Sequence, residues 1–231
     1  MIIKENIKVI AFDADDTLWE NEIYFRDAEK KFSKLLTCYE SEAKVLSELL
    51  HKEINNLSIY GYGVKSFMLS MIECALELSN SKLNGETISE ILNIGKEMLG
   101  KKIVLIKDIE EVLKLLSKKY KLIVATKGDL LDQEKKLQNS GILKYFHHIE
   151  IMSEKKEDNY KKLLQHLNIS PKHFLMIGNS LKSDVLPILK IGGQAIHIPF
   201  HTTWQFEEVD KNSINEKYLT IKKLKDLLAI L

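Results

Sequence analysis

Apolar residues recur along this chain with two different periods, and each period occupies its own part of the sequence. The run from Val9 to Phe12 is short and continuously apolar, as expected for a buried strand. From about residue 20 to residue 100 the apolar positions recur every three or four residues, which predicts helices and no strand. These helices are predicted at 24–36, 45–54, 64–78 and 88–99.

Beyond residue 100, short apolar runs alternate with helical patterns. The predicted strands are 122–126, 146–151, 174–178 and 194–198, and the predicted helices are 108–119, 129–139, 158–167 and 181–191. Short strands that alternate with helices form parallel sheets covered on both faces. We therefore predict an α/β fold with a Rossmann-like, doubly wound parallel sheet in residues 1–19 and 101–231. Residues 20–100 are predicted to form an all-helical domain inserted after the first strand.

Composition excludes some classes of function. The chain has 34 Lys and Arg residues against 33 Asp and Glu residues, so its charges nearly cancel. A balanced charge gives no support for binding to nucleic acid or to a membrane surface. No segment approaches the ~18 apolar residues of a membrane-spanning helix, and the first residues lack the apolar core of a signal peptide. We therefore expect a cytoplasmic protein, and the pattern gives no indication of its oligomeric state.

The two cysteines, Cys38 and Cys74, are far apart in the sequence. Neither has the paired spacing of a metal site or of a disulfide framework. We predict two buried free thiols.

The clearest chemical signal is a cluster of carboxylates directly after the first predicted strand. Asp13, Asp15 and Asp16 precede Thr17 in the pattern Asp-x-Asp-x-Thr. Like charges this close are costly unless a cation neutralises them, and carboxylate oxygens suit Mg²⁺. Ligands of open α/β sheets bind at the carboxyl ends of the strands. We therefore predict Mg²⁺ here, with Asp13 as a nucleophile toward phosphorus and Asp15 as a general acid and base.

Polar residues also follow two later strands, and in a parallel sheet they meet at the same edge. Thr126 ends the second predicted strand, and Gly178-Asn179-Ser180 follows the fourth. The Thr126 hydroxyl and the N–H groups beside it are suited to bind a phosphoryl oxygen.

These motifs, in this order and on these elements, resemble those of the haloacid dehalogenase superfamily. The resemblance covers most of the chain outside the helical insertion. It rests on Asp13-Ala14-Asp15-Asp16-Thr17, on Val124-Ala125-Thr126-Lys127-Gly128 and on Gly178-Asn179-Ser180-Leu181-Lys182-Ser183-Asp184. It implies that Asp13 and the main-chain carbonyl of Asp15 ligate Mg²⁺, with Asn179 and Asp184 completing or supporting the metal site.

The resemblance also implies how a phosphate group is bound. Thr126 and Lys127 would contact it, together with a lysine that follows the third strand and neutralises the nucleophile. Two lysines are adjacent there, and the family spacing to Tyr160 favours Lys155 over Lys156.

The sequence departs from the family pattern at Asn179, where an aspartate is usual. An amide keeps a ligating oxygen but loses a negative charge, so we expect weaker metal binding. The helical insertion matches the cap that covers the catalytic edge in many members of the superfamily and selects the substrate. Within it, Lys65 follows two Tyr-Gly pairs near a predicted helix start, where it is a candidate to contact an anionic group of the substrate.

The sequence therefore predicts a Mg²⁺-dependent phosphomonoester hydrolase that acts on a small phosphorylated metabolite through an aspartyl-phosphate intermediate. Three alternatives stay open. The first is a dehalogenase of the same superfamily, which Asp15 argues against, and the second is a phosphomutase. The third is a non-catalytic phosphate-binding module, for which Asn179 is the motive. A phosphorylatable switch of the response-regulator kind also uses an Asp, a Thr and a Lys at strand ends, but its Asp lies on a middle strand and it has no such helical insertion.

Overall fold

A parallel sheet of six strands forms the centre of the α/β part of the chain, in a computed structural model that describes residues 2–231. The strands are β1 (Val9–Phe12), β2 (Lys121–Lys127), β3 (His148–Met152), β4 (Phe174–Gly178), β5 (Gln194–His197) and β6 (Leu219–Thr220). Their order in the sheet is β3-β2-β1-β4-β5-β6, and every neighbouring pair is parallel. The predicted doubly wound α/β fold is confirmed.

Strand β1 lies between β2 and β4, with Phe12 opposite both Val124 and Ile177. Its side chains alternate between two apolar clusters, one on each face of the sheet, so the whole strand is buried. The chain order reverses on either side of β1, and ligands of such sheets bind outside the strand ends at that reversal. The strand ends of β1, β2 and β4 are therefore adjacent.

Helices cover the sheet and form the insertion. They are α1 (Glu22–Leu35), α2 (Glu42–Tyr60), α3 (Val64–Leu78), α4 (Gly85–Leu99), α5 (Ile109–Leu116), α6 (Leu130–Asn139), α7 (Glu157–His166), α8 (Leu186–Lys190) and α9 (Leu227–Ile230). The prediction for α3 is confirmed at both ends. None of the helices within residues 2–231 combines the length and apolar character needed to span a bilayer.

Two predicted helices differ from the structure, and two short elements were not predicted. Helix α2 continues to Tyr60, beyond its predicted end, so only the second Tyr-Gly pair lies wholly between helices. The predicted helix 181–191 is a π-helical turn over Leu181–Val185 followed by the short α8. The last short elements, β6 and α9, were missed because two to four residues show no period.

Contacts divide the chain into two compact units. One extends to Glu22 and resumes at Ile103–Lys127 and Glu134–Leu231, and it contains the sheet. The other comprises Ile23–Lys102 with Gly128–Gln133. This helical unit has its own apolar core, which includes Phe32, Leu49, Met71 and Ile91.

The cysteines differ in exposure, which corrects the prediction that both are buried. Cys74 lies on the apolar face of α3 and is buried, and this burial raises the pKa of its thiol to about 12. Cys38 is exposed because it lies in the polar connection between α1 and α2.

We expect an aromatic disulfide reagent at pH 8 to label Cys38 in the folded protein and Cys74 only after denaturation. The reactive species is the thiolate, which burial suppresses at Cys74. A titration should count one thiol per chain in buffer and both of the two cysteines in guanidinium. Rapid labelling of both in buffer would contradict the buried position of Cys74.

Candidate active site

The loop after β1 holds Asp13 at the edge of the sheet. The Asp13 N–H donates to the Ile177 carbonyl of β4 at 2.9 Å, which extends the strand pairing by one residue. Asp16 then adopts a left-handed φ of 62°, a conformation that aspartate tolerates. Its carboxylate accepts hydrogen bonds from the N–H groups of Asn21 and Glu22, at 2.8 and 3.0 Å. Asp16 therefore caps the start of α1, and its role is structural.

Asp13 forms a buried ion-pair cluster with two residues that are distant in sequence. The Lys155 ammonium donates to Asp13 Oδ1 and, at 2.6 Å, to Asp184 Oδ1. Lys155 is 4% exposed, whereas the neighbouring Lys156 side chain is 71% exposed and pairs with Glu154. The structure thus places Lys155, and not Lys156, on the nucleophile predicted from the sequence.

Burial and the neighbouring charges shift the pKa values of both Asp13 and Lys155. Burial raises the pKa of Asp13 to about 7; Lys155 opposes that rise and Asp184 adds to it. Although burial disfavours its charge, the two carboxylates hold the pKa of Lys155 above the ordinary value for lysine. Lys155 therefore keeps its proton, while the charge of Asp13 is disfavoured by burial and favoured by Lys155.

Asn179 lies against the other oxygen of Asp13. In the orientation that satisfies its hydrogen bonds, the Asn179 amide nitrogen donates to Asp13 Oδ2 at 3.1 Å and to the Asp15 carbonyl at 3.3 Å. The Thr17 hydroxyl also donates to Asp13 Oδ2, at 3.3 Å. Asp13 Oδ2 and the Asp15 carbonyl oxygen thus both face the side-chain amide of Asn179.

This arrangement fits a Mg²⁺ site. The Asp13 carboxylate and the Asp15 carbonyl supply hard oxygens, and turning the Asn179 amide would present a third oxygen to the same point. Residues 2–231 contain no group of three or more His, Cys, Asp and Glu side chains that could hold a metal. The candidate site therefore depends on an amide and a main-chain carbonyl as well as on Asp13.

Asp184 closes the cluster from the turn that follows β4. Its Oδ1 pairs with Lys155, and its Oδ2 accepts from the Ser180 N–H at 3.0 Å. Gly178 permits this approach, since a Cβ at that position would lie 2.2 Å from Asp184 Oδ2. Both oxygens of Asp184 are engaged, so in this arrangement Asp184 supports Lys155 and the loop of Asn179.

The Asp15 carboxylate contacts a different set of residues. It accepts from Trp19 Nε1 at 2.7 Å and from Lys136 Nζ at 3.1 Å. Lys136 also donates to the Asn21 side chain at 2.9 Å. The carboxylates of Asp13 and Asp15 thus have different cationic partners, Lys155 for the first and Lys136 for the second.

A sequence comparison decides the family. The sequence model of the haloacid dehalogenase-like hydrolases matches residues 7–192. The chain belongs to this family. The resemblance drawn from the motifs is confirmed, and the protein is an enzyme of the hydrolase class.

Relatives of this hydrolase include phosphatases. N-acylneuraminate-9-phosphatase from Mus musculus is 24% identical over 200 residues, which cover 82% of this chain and 81% of the relative. A haloacid dehalogenase-like family hydrolase from Xanthomonas campestris has a TM-score of 0.87 and 35% identity, over 97% of this chain and 90% of its own. The HAD hydrolase YfnB from Bacillus subtilis, solved bound to magnesium, has the same fold, with a TM-score of 0.67 and 17% identity over 97% and 98% of the chains.

Three further residues of the hydrolase were predicted to bind the substrate, namely Thr126, Lys127 and Lys65. Thr126 is buried near the end of β2, and its hydroxyl donates to the Lys127 carbonyl at 3.2 Å. Lys127 pairs with Glu207 at 2.7 Å. In the helical unit, Lys65 pairs with Asp129 at 3.0 Å. Both of these lysines, predicted to contact substrate, therefore have carboxylate partners.

Two residues of the site were missed from the sequence, namely Lys136 and Glu207. Lys136 is one of 34 basic residues and lies in an ordinary amphipathic helix. Glu207 lies in a short turn beyond the last motif. No spacing rule links either residue to Asp13, so only the folded structure identifies them.

Proposed function

We propose that this hydrolase cleaves a small phosphate monoester, with Mg²⁺ as its cofactor and Asp13 as the nucleophile. The observation that carries the proposal is the buried contact of Lys155 with Asp13 and Asp184 at the carboxyl end of β1. A phosphoryl group beside Asp13 would meet a fixed cation there. Thr126, at the adjacent end of β2, is proposed to donate to a phosphoryl oxygen.

The proposed reaction has two steps. An oxygen of Asp13 attacks phosphorus, the bond from phosphorus to the ester oxygen breaks, and Asp15 gives its proton to the departing alcohol. Water then attacks the aspartyl phosphate while Asp15 takes a proton from it, and the bond to Asp13 breaks to release inorganic phosphate. Asp15 would have to exchange its contact with Lys136 for the leaving oxygen.

The proposed metal ligands are Asp13, the main-chain carbonyl of Asp15 and Asn179, with Asp184 in support. When bound, Mg²⁺ supplies positive charge that offsets the negative charge of the attacking carboxylate and of the phosphoryl oxygens. Within the protein, Lys155 supplies a second, permanent positive charge on the opposite oxygen of Asp13.

We propose further that the helical unit is a cap that selects the substrate. It is inserted in the chain between β1 and β2, and its Lys65 is exposed enough to meet an anionic group once Asp129 is displaced. Sugar phosphates deserve first place among the substrates tested, because a curated relative is a phosphatase of N-acylneuraminate 9-phosphate.

Hydrolysis of p-nitrophenyl phosphate tests the proposal. We expect turnover with Mg²⁺ and at least a tenfold loss after EDTA treatment, restored when Mg²⁺ is added back. A panel of phosphorylated sugars, nucleotides and phosphoglycolate would then rank the esters by kcat/KM. Release of halide from 2-chloropropionate without metal, in a protein inactive toward every phosphate ester, would overturn the proposal in favour of a dehalogenase.

A further inference from the structure

A partly buried carboxylate outside the family motifs lies beside the candidate site. Glu207 belongs to the turn Gln205–Glu207 that follows β5, and its side chain is 13% exposed. Burial opposes its charge, but Lys127 and two hydroxyl donors hold the pKa of Glu207 below the usual value for glutamate. Glu207 is therefore a partly buried anion, and both of its carboxylate oxygens have hydrogen-bond partners.

Those partners come from the two loops that carry site residues. Glu207 Oε1 pairs with Lys127 at 2.7 Å, and Lys127 directly follows Thr126 at the end of β2. Glu207 Oε2 accepts from the hydroxyls of Ser180 and Ser183, at 2.5 and 2.6 Å. Lys127 Nζ also donates to the Ser183 hydroxyl at 3.0 Å, so Glu207, Lys127 and Ser183 form a closed ring to which Ser180 is attached.

The two serines are the neighbours of the predicted motif residues. Ser180 follows Asn179, and its N–H holds Asp184 Oδ2 at 3.0 Å. Ser183 precedes Asp184, and its N–H donates to the Ser180 hydroxyl at 3.0 Å. A shift of either serine would thus move the carboxylate that holds Lys155.

The turn that carries Glu207 is itself held in place. Lys182 donates to the Phe206 carbonyl at 2.6 Å, and its Nζ lies 3.4 Å from the centre of the Phe206 ring. The Trp204 and Phe206 rings are 5.0 Å apart. The turn that carries Glu207 therefore has its own contacts with Lys182, which help to hold Glu207 against the serines.

We propose that Glu207 is a positioning residue, which fixes the end of β2 against the turn after β4 and so sets the places of Asn179 and Asp184 around Asp13. Its influence reaches the reacting atoms through Ser180, Ser183 and Lys127. The kinetic part of this inference rests on the proposed phosphatase function, whereas the structural part does not.

The test compares Glu207→Gln with Glu208→Gln in the full chain. Glu208 is the adjacent exposed glutamate, so its variant makes the same chemical change without touching the network. The amide of Glu207→Gln is nearly isosteric but cannot pair with Lys127 as a charge. We expect kcat for p-nitrophenyl phosphate to fall roughly tenfold with KM changed less than threefold, and Glu207→Asp to recover part of kcat.

Hydrogen exchange of the free protein gives a readout that needs no substrate. We expect the amides of 179–185 to exchange at least threefold faster in Glu207→Gln than in wild type or Glu208→Gln, while those of β1 are unchanged. If Glu207→Gln does not fold, Ser183→Ala removes one donor to Glu207 and should show the same changes on a smaller scale.

The outcomes separate the two proposals. Wild type that hydrolyses no phosphate ester overturns the proposed function, while faster exchange at 179–185 in Glu207→Gln still supports the positioning role. Active wild type with Glu207→Gln equal to Glu208→Gln in kcat and exchange overturns the positioning role alone. A uniform rise in exchange across the sheet would also overturn it, since it would mean general destabilisation.

Discussion

Replacement of Asp13 by asparagine is expected to lower kcat for phosphate-ester hydrolysis by roughly 10⁴-fold or more. The amide keeps the size of the side chain and its place beside Lys155, but it has no lone pair basic enough to attack phosphorus. When the reaction of wild type with substrate is quenched, mass spectrometry should find protein that is heavier by one phosphoryl group. The added mass should lie on the peptide that contains Asp13. The Asp13→Asn variant should show neither turnover nor that mass.

Asp16→Asn is the matched control, because Asp16 is as buried as Asp13, at 8% against 7% exposed, and lies in the same loop. Burial raises the pKa of Asp16 to about 8, so its surroundings disfavour a charge, and a neutral amide of the same size is expected to be tolerated there. Its carbonyl oxygen can still cap α1. We expect kcat within threefold of wild type. Equal losses in both variants, or turnover that survives in Asp13→Asn, would reject Asp13 as the nucleophile.

The middle of the sheet could be predicted because β1, β2, β4 and β5 are largely buried. Strand β1 is apolar at every position, and a continuously apolar run predicts a buried strand even when the neighbouring strands are unknown. The helices of the second unit could be predicted because each buries one apolar face, whose residues recur every three or four positions. The π-helical turn after β4 could not, because it depends on Asp184 reaching back to the Ser180 N–H and not on any period.

The residues of the candidate site also fall into two groups, those that the sequence could predict and those that it could not. Asp13, Thr126 and Asn179 lie at or directly after the carboxyl ends of apolar strands, and a parallel sheet brings those ends together whatever lies between them. Glu207 and Lys136 act through side chains that cross from other segments, so their partners are set by packing. The apparent strength of a motif also misleads: Asp16 looks like a third member of the acidic cluster, yet its carboxylate caps a helix.

Replacement of Lys155 by methionine is expected to lower kcat/KM at pH 7 by roughly 10²- to 10³-fold, the usual effect of removing one fixed donor to a developing charge. It should also cost about 3–5 kcal/mol of unfolding free energy, because Asp13 and Asp184 would be left buried without their cation. Kinetics across pH and urea unfolding at pH 6 and pH 8 measure the two effects.

The sign of the pH effect follows from the pKa of Asp13. Burial already raises that pKa to about 7, and Lys155 opposes the rise. Without Lys155 the pKa moves further up, so the acid limb of kcat/KM should shift to higher pH. Between pH 6 and pH 8, Asp13 would then stay protonated in the folded variant, whereas in the unfolded chain the same carboxyl group would already have lost its proton. The unfolding free energy of the variant should therefore fall as pH rises from 6 to 8.

Lys156→Met is the control for this prediction, since its side chain is 71% exposed and its pair with Glu154 is a surface one. Exposed pairs contribute about 0–1 kcal/mol, so this variant should match wild type within that range and keep its pH profile. If Lys156→Met moved the acid limb while Lys155→Met did not, the cation that neutralises Asp13 would be Lys156. The buried cluster would then be a structural ion pair, because a cation that leaves the nucleophile's pKa unchanged cannot be its electrostatic partner.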